Sequence, residues 1–111
     1  YGDTLAERTE LLASEGITLH HLDNLDNFND LDGLASLIAA CDVIVTASNV
    51  TVHIAGALGK PTHLIAPCSR GKIWYWHEGH DRCLWHPSVH IHRQGADGDW
   101  GKTIAGVAAD L

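Results

Sequence analysis

Asp42-Val43-Ile44-Val45-Thr46-Ala47-Ser48-Asn49-Val50-Thr51-Val52-His53-Ile54-Ala55-Gly56-Ala57-Leu58-Gly59-Lys60-Pro61-Thr62-His63-Leu64-Ile65-Ala66-Pro67 decides the fold. An apolar, β-branched run passes through small polar residues, continues at helical period, stops at Gly59-Lys60-Pro61 and turns apolar again. The pattern reads strand, turn, helix, strand. Val50, Ile54, Ala57 and Leu58 form one stripe of the helix, and Val52, Ala55, Gly56 and Gly59 form a second side of small residues that lets it lie close to a sheet. The unbroken Val43-Ile44-Val45 run predicts a strand covered on both faces, as in a parallel sheet. A helix entered straight from such a strand aims unpaired backbone N–H groups and the positive end of its dipole at the carboxyl edge of the sheet, where they favour an anion such as a phosphate. The residues so placed are Ser48, Asn49, Val50, Thr51, Val52 and His53, and they are the candidate holders of a nucleoside diphosphate. Ser48 or Asn49 also suits a plain N-cap, and His53 a hydrogen-bonded core histidine.

Upstream, Thr4 and Glu7 have the spacing of a capping box, a helix follows to about Ser14, and Gly16 suits its left-handed stop. Ile17 to Leu22 reads as a strand, and the Asn/Asp-rich stretch Asp23 to Asp30 as a loop. Asp30 or Asp32 can cap a helix whose Leu34, Leu37, Ile38 and Cys41 share a face. Downstream, Trp74-Tyr75-Trp76 offers either a stacking wall, with Trp74 and Trp76 contacting a base or closing a lid, or core packing. Val89 to Arg93 alternates as a short strand, and Asp97 or Asp99 can cap a last helix bearing Trp100, Ile104, Val107, Ala108 and Leu111 on one face. The expected order is helix, strand, helix, strand, helix, strand, loop, strand, helix. This is an α/β, Rossmann-like parallel sheet with helices on both faces, in a single domain over residues 1–111.

Composition bounds the function. The chain has 111 residues and a net charge of −7, which argues against a general nucleic-acid surface. Nine acidic residues accompany only Arg8 before position 43, whereas Lys60, Arg70, Lys72, Arg82, Arg93 and Lys102 follow it, so the second half is better suited to a small anion. Three cysteines without a Cys-x-x-Cys fit free thiols in a reducing compartment. No run approaches the roughly 20 apolar residues of a membrane span, and the chain reads as soluble and cytoplasmic. It starts at Tyr1 without a Met, as a fragment of a longer protein would. The nine histidines raise a His-rich metal-binding domain as an alternative, through His77-x-x-His80, Cys83-x-x-His86 and His90-x-His92. None has the paired spacing of a structural zinc site, so surface histidines are the favoured reading and no metal ligands are assigned. Walker, Gly-x-Gly-x-x-Gly and nucleophile-elbow patterns are absent.

From Ser48 to Pro61, and most closely over His53-Ile54-Ala55-Gly56-Ala57-Leu58-Gly59-Lys60-Pro61, the sequence resembles the donor-site segment of bacterial heptosyltransferase-like glycosyltransferases, including members that carry tetratricopeptide repeats. Asp30-Leu31-Asp32, Ile38-Ala39-Ala40-Cys41-Asp42, Trp74-Tyr75-Trp76, Trp85-His86-Pro87-Ser88-Val89, Arg93-Gln94 and Gly98-Asp99-Trp100 extend the resemblance over nearly the whole chain. It implies the C-terminal half of a GT-B enzyme, in which a nucleotide-sugar donor meets the helix start at Asn49 to Val52 and His53 orients phosphate or sugar. No cofactor or metal is implied. The acceptor site and general base belong to an N-terminal partner domain, so no catalytic residue is assigned here, and the isolated domain is expected to bind donor weakly and catalyse nothing alone. Ser48 stands where the family usually has Asp, and Val50 where it has Gly or Ser. The lost carboxylate leaves a non-catalytic Rossmann-like binding module without donor binding as the competing reading.

Overall fold

The computed structural model describes residues 4–111. Three parallel strands, β1 (Ile44–Ala47), β2 (Thr62–Ala66) and β3 (Val89–Arg93), lie side by side in that order, flanked by helices α1 (Leu5–Glu15), α2 (Leu31–Ala40), α3 (Val50–Ala57) and α4 (Gly101–Asp110). Ile44 pairs with Thr62 and Ala47 with Ile65; Thr62 pairs with Val89, His63 with His90 and Ile65 with His92. The fold is the expected α/β class, a Rossmann-like parallel sheet with a helix on each face.

Side-chain alternation along each strand divides the core. Leu64, Ala66, Val89 and Ile91 point to one face, where Val52 of α3 and Trp76 and Cys83 of the β2–β3 connection cover them. Leu64, Val52 and Val89 have no exposed surface, and removing each from water is worth roughly 1.5–3 kcal/mol. A second cluster joins Leu34 and Ile38 of α2 to Ile44 and Ala55, so α2 packs outside α3. On the opposite face α4 lies over β3 and β2. It does not reach over β1, and Val45 is 46% exposed. The sequence reading of a strand covered on both faces is therefore corrected at β1.

Local signals set most boundaries. Asp30 accepts from the Gly33 N–H at 2.8 Å and caps α2. Gly16 sits at φ 67°, and its N–H and that of Ile17 return to the carbonyls of Leu12 and Leu11, closing α1. Gly59 (φ 69°) and Pro61 end the α3 segment. Three expectations fail. Thr4 makes no side-chain cap, so the Thr4–Glu7 box is not formed. Residues 17–22 are not a strand: Ile17, Leu19 and Leu22 are about half exposed and His20-His21 breaks the alternation, leaving no buried face to repay pairing at the β1 edge. Trp100, not an Asp, is the N-cap residue of α4, although Asp99 accepts from the Gly101 N–H at 2.8 Å. Among the described residues no helix is long and apolar enough to cross a membrane.

Candidate functional site

The turn between β1 and α3 opens at the carboxyl end of the sheet, as expected. Asn49 is the N-cap of α3; its side-chain oxygen accepts the Thr51 N–H at 2.9 Å and lies 3.4 Å from the Thr46 hydroxyl. This uses one first-turn donor. Val52 has no exposed surface and belongs to the core, whereas Val50 is 42% exposed. Of the turn residues, the Thr51 N–H is thus already engaged by the cap, and Val50 is the more exposed end. Ser48 also has a partner: its hydroxyl accepts the Trp76 indole N–H at 2.8 Å.

His53 is exposed on the first turns of α3. Its ring stacks on Trp76 at 5.3 Å and meets Tyr75 edge-on at 5.1 Å. His86 lies 6.0 Å from His53 and presses against Gly56, where an added Cβ would sit 2.4 Å from the His86 ring. Burial, and secondarily His53, lower the His86 pKa; burial also raises that of Tyr75, with Cys83 adding to it. The aromatic segment is thereby split: Trp76 is 3% exposed core, and Trp74 is 75% exposed, packed edge-on to Tyr75 and His77.

Two clefts flank the α3 start. One, of about 480 Å³, lies at the carboxyl ends of β1 and β2, bounded by Ala47, Ser48, Ile65, Pro67, Trp100 and Ile104. Its size suits a small-molecule site. The other, of about 520 Å³, reaches Asn49 and Thr51 from the loop side and contains Asp26. Hydrogen bonds from the Asn29 side chain and from the Phe28 and Asn29 N–H groups lower the Asp26 pKa, so a fixed carboxylate opposes an anion in that cleft. The aromatic side chain in the first cleft is Trp100, which the sequence reading placed only on the apolar face of α4; neither Trp74 nor Trp76 lines it. No periodicity reports that a helix residue at the N-cap overhangs a strand end.

Most cations of the second half are engaged structurally. Arg93 donates to the carbonyls of Trp76, His77 and His80, fastening the aromatic segment to the sheet. Lys60 donates to the Cys41 carbonyl at 2.8 Å, and Lys72 and Lys102 pair with Glu78 and Asp97. Arg70 and Arg82 remain exposed, Arg70 next to Gly71 of the first cleft.

At the opposite end of the sheet, His63, His90, His92 and Asp110 converge, with one ligand atom from each within 4.8 Å of the others. Among the described residues this is the group that places three or more potential metal ligands together. Of the sequence candidates only His90-x-His92 takes part; His77, His80, Cys83 and His86 do not join it. His63 and Asp110 were missed because they come from separate elements. Burial, then His90 and His63, lower the His92 pKa, with Asp110 acting in the other direction.

Across all 111 residues the chain is 31% identical to protein FlbA of Caulobacter vibrioides, and it spans 18% of that protein's length. No protein-family model matches the chain. No solved structure matches it.

Proposed function

We propose that the chain is the nucleotide-sugar-binding C-terminal domain of a GT-B glycosyltransferase. The observation that carries the reading is the 480 Å³ cleft at the carboxyl ends of β1 and β2, with Ser48 of the turn that leads into α3 on one side and Trp100 on the other. In open α/β sheets, ligands bind outside the carboxyl ends of the strands. The apolar wall formed by Ile65, Pro67, Trp100 and Ile104 suits a nucleobase, and the exposed start of α3 at Val50, beyond that lining, suits a phosphate. Arg70, exposed next to Gly71 of the cleft, supplies a cation. The resemblance over His53 to Pro61 favours a nucleoside diphosphate sugar over other phosphorylated ligands. Donor charge in transfer would be met by fixed dipoles rather than a covalent intermediate. Acceptor binding and the general base are assigned to an N-terminal partner domain of the parent protein, and transfer takes place in the cytoplasm.

Calorimetric titration with UDP-, ADP- and GDP-sugars tests this directly. Weak saturable binding of one donor is expected, lowered by Asn49→Ala and by Arg70→Ala with the fold retained. No saturable heat with any of them refutes the reading, and leaves a Rossmann-like module without donor binding, for which the engagement of Ser48 by Trp76 speaks.

A further inference from the structure

The face of the sheet beneath α4 departs from ordinary helix–sheet packing. A helix laid on a sheet normally buries an apolar stripe against apolar strand residues. Here the strand positions beneath the last turns of α4 are His63, His90 and His92. The register makes them neighbours: His63 is paired with His90, Ile65 is paired with His92, and His90 and His92 are two residues apart on one strand. α4 runs back from the carboxyl edge, where Trp100 and Ile104 bound the cleft, to the amino edge, where Asp110 arrives above the three rings. Gly106 of α4 faces His92, and a Cβ there would make ordinary contact with His92 Nδ1 at 3.6 Å.

The potential ligand atoms of the four side chains lie within 4.8 Å of one another. His63 Nδ1 is 2.9 Å from His92 Nε2, His90 Nδ1 is 3.2 Å from an Asp110 carboxylate oxygen, and His92 Nε2 is 3.8 Å from the same oxygen. A tetrahedral zinc-class ion with bonds of about 2.0–2.2 Å holds its ligand atoms about 3.3–3.6 Å apart, so these four atoms close on an ion through side-chain adjustments of about an ångström. The ligand set is three imidazoles and one carboxylate, which suits zinc, cobalt(II) or nickel and not the oxygen-seeking calcium or magnesium. A cleft of about 340 Å³, lined by His63, His90, Asp110, Thr62, Ser88 and Arg82, gives entry. The Ser88 hydroxyl in that cleft is buried and has no hydrogen-bond partner, so a polar group stands ready beside the ligands. Arg82 at the mouth is exposed, where solvent and salt screen its repulsion.

We propose that His63, His90, His92 and Asp110 bind one divalent ion of the zinc class, which ties the C-terminal end of α4 to the amino ends of β2 and β3. The site lies at the other end of α4 from the donor cleft, so its role is to hold the fold and not to touch substrate.

The test uses the full chain prepared without an affinity tag, stripped with chelator and titrated with zinc and with cobalt(II). The expected result is one equivalent bound, tetrahedral cobalt absorption, and a Tm raised by about 10 °C at a hundredfold excess over Kd. Asp110→Asn, on the exposed helix end, should weaken zinc at least about tenfold while the metal-free circular dichroism stays unchanged, and His92→Gln should remove the cobalt spectrum. His77→Gln combined with His80→Gln should leave binding intact. Failure to bind one equivalent overturns the proposal, as does affinity that is insensitive to Asp110→Asn or lost in the His77/His80 variant.

Discussion

Replacing Ser48 with Ala probes whether that side chain is committed to holding the fold. Trp76 is 3% exposed, and its indole N–H donates to the Ser48 hydroxyl at 2.8 Å. The substitution leaves that buried donor unpaired, and such a group costs about 1–3 kcal/mol. A loss of about 2 kcal/mol corresponds to a Tm lower by roughly 8 °C in a domain of this size. Removing both partners separates the hydrogen bond from side-chain volume: in a Trp76→Phe background, Ser48→Ala should cost well under about 1 kcal/mol, because no donor is left stranded. Urea and thermal unfolding followed by far-ultraviolet circular dichroism read all four corners of the cycle without relying on the altered tryptophan. Equal losses in the two backgrounds, or a Tm shift under about 2 °C in the single variant, would show that the bond does not anchor the aromatic segment.

Asn49→Ala removes the cap on Thr51 and should cost about 1 kcal/mol by denaturant midpoint, with the slope unchanged. Gly56→Ala forces a Cβ to within 2.4 Å of the His86 ring and should destabilise by about 1–3 kcal/mol, with relief in a Gly56→Ala, His86→Ala double variant. Because burial and His53 lower the His86 pKa in the folded state, the unfolded chain binds the proton first. Stability contributed by neutral His86 should therefore be present above the ordinary value of 6.5 and be lost as pH falls below it. Chevron-midpoint measurements in chelator should show a shallower pH slope for His86→Gln; an unchanged slope would place the titration elsewhere.

The stretch from Asp42 to Pro67 was readable because each change in it is local: β-branched run, small polar turn, helical stripe, Gly-Lys-Pro stop. The Asp30 and Asn49 caps belong to the same class of signal, since a side chain reaching its own backbone needs no distant partner. Ile17 to Leu22 misled for the opposite reason. A strand exists only against a neighbour, and nothing within those residues reports whether the edge of β1 will accept them. The aromatic triplet was ambiguous because Trp76 is buried and Trp74 exposed only once Arg93, from β3, holds the carbonyls of Trp76 and the residues after it. The histidine cluster lay hidden in register: His90-x-His92 is visible as a pair on one strand face, but His63 and Asp110 join it only after β2, β3 and α4 are assembled.

The ten-residue helix α4 bounds both ends of the domain, Trp100 and Ile104 at the cleft and Asp110 among the histidines. For anyone trimming the chain into a minimal cassette or fusing another module to it, that helix is not a disposable tail. Cutting before Gly101 would open the cleft wall, uncover Ile65 and strip a ligand from the imidazoles in one operation. A fusion joined directly at Leu111 would crowd Asp110, one residue away. A junction placed at Leu111 therefore calls for a flexible spacer that leaves Asp110 free to face the histidines.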